Sequence, residues 1–234
     1  MIVFNCSQAF AEFVEPKKAG PAPLVGEAPS PHPSEDMPFL IGADGQPPRA
    51  VQQWLVHLVR VRRKPVVMVM DIDARYAMVF TGLKRGEPAA FIEALVTRLT
   101  NEMVLAAQYI EMLADFDAML AQFAATHDRF QFVRRAERST QAHLKEAVWD
   151  FKLCCEDLGR LPESHEECAR IDAYINDTPR CVKGRKGFFV ANEEMLCAWL
   201  RSFGGLAPAG EAAVRERWRE KTRRRHRALG DQPD

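Results

Sequence analysis

The sequence predicts an α+β fold: an antiparallel β-meander sheet covered by helices and followed by a helical C-terminal portion. Two observations carry this prediction. Between Trp54 and Phe80, apolar residues fall in short, β-branched runs separated by turn residues, which is the pattern of strands. From Pro88 onward they recur at three- and four-residue spacing, which is the pattern of helices burying one face. Strands first and helices after them point to a sheet with helices laid on it. The 234 residues, 47% of them hydrophobic, suit one compact domain with appendages or two small domains.

Met1 to Asn5 reads as a short strand, and Ser7 can cap a brief helix whose apolar stripe is Phe10, Phe13 and Val14. Nine of the 15 prolines then fall between Pro16 and Pro48. Each removes a backbone donor and fixes φ, so this stretch predicts a long loop or linker. Trp54 to Val59 follows as a strand buried on both faces, and Arg62-Arg63-Lys64-Pro65 as a turn. Val66 to Met70 is a central strand, Asp71-Ile72-Asp73-Ala74 a second turn, and Tyr76 to Phe80 the next strand. Successive turns of a meander lie at opposite ends of the sheet, which separates the basic run from the aspartates by roughly 15–20 Å.

Pro88 suits the first turn of a helix striped by Phe91, Leu95, Leu99 and Met103. A second helix carries Ile110, Leu113, Phe116, Leu120 and Phe123, and Phe130 to Val133 adds a short strand. Ser139 or Thr140 caps a helix running through Leu144, Val148, Phe151 and Cys155 to Gly159. Ser164 and Glu167 form a capping box, and Asn192 opens a core-facing helix that stops at Gly204-Gly205. The expected organisation is a first strand and helix in 1–15, a proline-rich loop in 16–49, an α+β core in 50–158, a helical subdomain in 159–205 and a basic, fraying tail in 206–234.

Charge excludes some functions. Lys plus Arg equals Asp plus Glu at 32 each, so no global field draws the chain toward nucleic acid or an acidic membrane. Any such contact must be local. The N-terminus lacks a basic start and a long apolar region, and Val66 to Met70 is far too short to span a bilayer, so a cytoplasmic protein without membrane contact is expected. There is no P-loop, G-x-G-x-x-G, G-x-S-x-G or H-E-x-x-H, and no cofactor is predicted. Six cysteines without a C-x-x-C pair suit reduced thiols; Cys155, His165, Cys168 and Cys181 form the one loose zinc constellation.

Trp54-Leu55-Val56-His57-Leu58, Arg62-Arg63-Lys64, Val66 to Met70, and Val79-Phe80-Thr81-Gly82-Leu83-Lys84 together resemble an uncharacterised bacterial family. It is a domain of unknown function met in plasmid open-reading-frame proteins, and Glu137-Arg138-Ser139-Thr140 with Leu144 resembles its later part. The chain departs from the family's Trp-His-Ala-Asn at Trp54 to His57, and from its Asn-Asp at Met70-Asp71. The resemblance implies a fold and a bacterial, mobile-element setting, and no activity.

Three functional readings follow. Clustered cations neutralise phosphate or an acidic protein. Arg62, Arg63 and Lys64, then Arg134, Arg135 and Arg138, then the tail residues Arg217, Trp218, Arg219, Arg223, Arg224 and Arg225 offer such charge to nucleic acid or an acidic partner. From Arg215 to Arg227 the tail holds eight Lys or Arg against two Glu. This favours a non-enzymatic binding or regulatory protein. The second reading is a metal-dependent phosphodiesterase in which Asp71 and Asp73, joined by His57, hold Mg²⁺ or Mn²⁺. The third is a structural interaction module using the Pro16 to Pro48 segment. The sequence does not define an oligomeric state.

Overall fold

The computed structural model describes residues 1–16, 22–40, 48, 50–135 and 137–230. In chain order the elements begin with β1 (Ile2–Cys6), α1 (Gln8–Val14), β2 (Val25–Glu27), β3 (Gln52–Val61), β4 (Lys64–Asp71) and β5 (Ala77–Thr81). They continue with α2 (Pro88–Tyr109), α3 (Phe116–Thr126), β6 (Phe130–Arg134), α4 (Arg138–Asp157) and α5 (His165–Asp177). β7 (Pro179–Arg180) and β8 (Phe189–Val190) pair with each other before α6 (Ala191–Phe203) and α7 (Glu211–Gly230).

β3, β4 and β5 form the antiparallel meander that the apolar runs predict, with Val61 opposite Lys64 and Trp54 opposite Asp71. The sheet as a whole departs from the prediction. It has six strands in the order β2-β6-β1-β3-β4-β5, and β1 runs parallel to both β3 and β6, as β2 does to β6. Apolar periodicity marks a strand but carries no sign of its neighbour's direction, and long crossovers separate these partners in sequence. β2 is a second correction, since it lies inside the proline-rich segment. Three residues between Pro23 and Pro29 are enough for a short edge strand. Residues 17–21, 41–47 and 49 of that segment, and 231–234 of the tail, lie outside the described residues.

Side-chain caps set the starts of α1, α3, α4 and α5. Ser7 Oγ accepts from the Phe10 amide at 3.4 Å and Ser164 Oγ from the Glu167 amide at 3.1 Å, both at the predicted caps. Two predicted starts move. Asp115 caps α3, so Ile110 ends α2 and Leu113 between them is 99% exposed. Glu137 rather than Ser139 or Thr140 caps α4, accepting from the Ser139 amide at 3.1 Å and from the Thr140 amide. The tail is α7, a helix of 20 residues rather than a frayed end.

Alternation sends Ile2, Phe4, Trp54 and Val69 to one face of the sheet, against Phe91 of α2 and Leu196 of α6. Leu55, Met68 and Met70 point to the other face, against Leu144 of α4 and Ile175 of α5. Beside them on that second face, Val3 and Val133 meet Leu40. There a buried polar knot fixes the 22–40 segment. Asp36 accepts from Arg135 at 2.6 and 2.8 Å, from Ser30 Oγ at 2.7 Å and from Gln53 Nε2 at 2.9 Å. Burial alone would raise the Asp36 carboxyl; these donors hold it below its ordinary value.

The outer edge of β5 is closed by side chains. Asn176 Oδ1 accepts from the Ala77 amide and Asn176 Nδ2 donates to the Ala77 carbonyl, each at 2.7 Å. Asp172 Oδ1 accepts from the Val79 amide at 2.9 Å, and Arg98 donates both to the Val79 carbonyl and to Asp172. The spacing explains why a helix can do this. Four residues of helix rise about 6 Å, close to the roughly 6.8 Å between alternate strand residues. Asn176→Ala strands two buried backbone groups and is expected to cost about 2–4 kcal/mol in urea unfolding. A loss below about 0.5 kcal/mol would show that water satisfies that edge equally well.

Candidate functional site

The basic residues are placed first by the backbone. Arg62 and Arg63 are the two central residues of the β3–β4 hairpin, with φ of 48° and 65°. A two-residue turn of this kind favours Asn-Gly, since a side chain resists positive φ. Arg62 offsets that preference by donating to the Gly159 carbonyl and, at 3.3 Å, to the Cys155 carbonyl at the C-terminus of α4, where a cation also meets the helix dipole. Arg63 and Lys64 are exposed. Arg135 is buried in the knot with Asp36, while Arg134 and Arg138 are exposed. Arg62 sits at the last turn of α4 and Arg138 at its first, about 30 Å away along a 20-residue helix. The two clusters do not form one surface.

α7 divides into two halves. Its first half is docked: Val214 is buried, Trp218 packs edge-on against Tyr109 with ring centroids 5.3 Å apart, and Arg215 pairs with Glu194. Arg219 grips Glu193 at 2.8 and 2.9 Å, and Lys221 reaches Glu111 at 2.5 Å. Trp218 is thus a packing residue rather than an open stacking platform. The second half is exposed at Arg223, Arg224, Arg225 and Arg227. Arg223 and Arg224 touch Glu216 and Glu220 in surface pairs at 2.8 and 2.5 Å, the class of ion pair that contributes least.

The aspartates and His57 part company. Asp71 shares the face of Val67 and Val69, whereas His57 shares that of Leu55 and lies near Lys145 of α4. His57 Nδ1 instead meets Ser7 Oγ at 2.9 Å. The proposed His57, Asp71 and Asp73 set is not brought together. His165 is exposed, Cys155 and Cys168 are buried and Cys181 is exposed. Among the described residues no group of three or more His, Cys, Asp or Glu is placed to hold a metal ion.

Asp71 does two jobs at once. Its Oδ1 accepts from the Asp73 amide at 3.0 Å and the Ala74 amide at 2.7 Å, which shapes the turn as its sequence predicts. Its Oδ2 accepts from Gln52 Nε2 at 3.1 Å. With Asp73 it also lines a cleft of about 510 Å³ between the start of β3, the end of α3 and one face of α6. Gln122, His127, Trp199 and Phe203 form much of the facing wall. Of these, the apolar spacing of α6 marks Trp199 as a core residue; nothing in the sequence marks His127.

Burial pushes the Asp71 carboxyl up to about 6, against the pull of the Ala74, Gln52 and Asp73 donors. Burial and the charge of the Met1 amino group hold His127 down to about 4. The cleft therefore pairs a buried carboxylate with a neutral imidazole near neutral pH.

A mixed six-stranded sheet with an acidic cleft on one face and a basic terminal helix defines an α+β domain with two separate surfaces. The chain belongs to the family described as Domain of unknown function (DUF6933), whose model matches residues 4–194. α7 and most of α6 lie beyond the matched span. No curated protein matches the chain. Among the described residues no helix is long and apolar enough to cross a membrane.

A raised carboxylate pKa gives a pH prediction. The folded value near 6 exceeds an unfolded value of about 3.9. Asp71 thus supports folding fully below about pH 4, and that support is lost as pH rises through about 6. Asparagine keeps the Oδ1 acceptor and mimics the protonated acid. Asp71→Asn is expected to raise Tm by roughly 2–6 °C at pH 7.5 and by little at pH 4.5. An equal fall in Tm at both pH values would refute this account of the cleft carboxylate.

Proposed function

We propose that the chain is a non-enzymatic binding protein that contacts nucleic acid through the C-terminal half of α7, in a bacterial, cytoplasmic and mobile-element setting. One observation carries the reading. From Thr222 to Arg227 the helix holds four Arg and no Asp or Glu, and its docked part, ending at Lys221, presents this stretch to solvent. Glu216 and Glu220 occupy Arg223 and Arg224 only in exposed pairs, which a phosphate can displace at small cost. Phosphate neutralisation is independent of sequence and strongly salt-dependent.

Arg63, Lys64, Arg134 and Arg138 lie on other parts of the surface and serve as internal controls. The test is fluorescence anisotropy with labelled duplex DNA and single-stranded RNA between 50 and 200 mM salt. Arg223, Arg224 and Arg225 changed together to alanine should weaken binding and reduce the log–log salt slope by roughly 2–3, whereas Arg63→Ala with Lys64→Ala leaves it intact. Absence of binding at low salt, or an unchanged slope in the triple variant, would remove the proposal.

A further inference from the structure

The cleft beside Asp71 is separate from the basic half of α7 and has its own chemistry. Asp71 is 5% exposed, yet among the described residues no cation pairs with it or with Asp73. The adjacent Arg75 feels the charge of both aspartates but forms no ion pair with either, its guanidinium donating instead to Thr140 Oγ1 at 2.7 Å and Ser139 Oγ at 3.0 Å on α4. Arg201, at the rim, is held by Glu211 at 2.6 Å. A buried carboxylate is costly without a paired charge, so the site lacks the partner that would stabilise it.

The geometry leaves room for that partner. Asp71 Oδ1 already has two backbone donors, but Oδ2 has one, the Gln52 amide, and a carboxylate oxygen accepts two. Asp73 is exposed beside it, and its carboxylate adds a second negative charge to the same wall. Across the cleft, Trp199 and Phe203 pack with ring centroids 4.8 Å apart, supplying aromatic surface. Trp199 is 3% exposed and its Nε1–H has no hydrogen-bond partner. The cleft volume of about 510 Å³ lies within the range of small-molecule sites.

We infer that this cleft binds a small organic cation, a primary ammonium or guanidinium group carried on an apolar or aromatic body. The charged head would replace the missing partner of Asp71 at Oδ2 with Asp73 nearby, and the body would lie along Trp199 and Phe203, where apolar and aromatic groups pack favourably. A neutral His127 places no competing charge in the wall.

Three probes of similar shape separate charge from apolar fit: 2-phenylethylamine, 2-phenylethanol and 3-phenylpropanoate, titrated calorimetrically into the full chain at pH 7.5. The amine should bind at least about tenfold more tightly than the alcohol, and the carboxylate should not bind. Asp71→Asn, which keeps the Oδ1 acceptor of the turn, should abolish the preference for amine over alcohol. Asp73→Asn, at an exposed position, should weaken the amine several-fold while the fold, checked by circular dichroism, is unchanged; this variant decides the matter if Asp71→Asn does not fold. Equal binding of the three probes, no binding by any, or an undiminished amine preference in the variants would overturn the inference. So would Mn²⁺ alone displacing the amine at equimolar concentration, since the site would then select a metal ion.

Discussion

An edge strand leaves every second N–H and C=O without a partner, and β5 meets this constraint with side chains rather than with another strand. Asn176 acts toward Ala77 as a neighbouring peptide would, donating and accepting through one amide. Asp172 and Arg98 complete the ladder at Val79. Arg98 remains charged in this buried place because Asp172 and Glu102, the latter at 2.9 Å, raise its pKa against the effect of burial. These bonds fix α5 on the sheet and so set the position of α6, which packs on α5 and forms one wall of the acidic cleft. The cleft and the seat of α7 both rest on that seal.

The arginines account for how a chain of zero net charge can carry so many local contrasts. Arg62 caps α4, Arg98 closes β5, Arg135 anchors the 22–40 segment, and Arg215 and Arg219 dock α7. A planar guanidinium with several donors can satisfy carbonyls and carboxylates together, which a lysine cannot. Four more, Arg223, Arg224, Arg225 and Arg227, lie close together and exposed at the end of α7. Asp71 presents the opposite case, an internal charge without a cation. Asparagine at that position is expected to steady the fold above about pH 6, and the proposed cation site rests on this uncompensated charge.

Much of the meander was legible because its signals are local. The turns fall at Arg62-Arg63 and Ile72 to Ala74, inside the runs that mark them, while Lys64 and Pro65 extend β4 beyond the predicted strand. The parallel pairing of β1 with β3 and β6 was not legible, since strand direction depends on where the crossovers go. Asp172 and Asn176 escaped notice for a different reason: polar residues four apart on a helix ordinarily face water. Their signal was their place beside Ile171 and Ile175, which puts them at the border of a buried stripe. For the cleft, the sequence supplied Asp71 and Asp73 but joined them to His57; one residue of alternation along β3 puts that histidine on the other face. His127 and Trp199 reach the cleft through tertiary packing alone.

The seal at β5 is tested most directly by native-state hydrogen exchange at the amides of Ala77 and Val79. Both are predicted to exchange as slowly as the interior amides of β4, through global unfolding alone. Asp172→Ala should release Val79, and Asn176→Ala should release Ala77, before the rest of the sheet. Rapid exchange of both amides in the unaltered chain, at the rate of an open strand edge, would contradict the account.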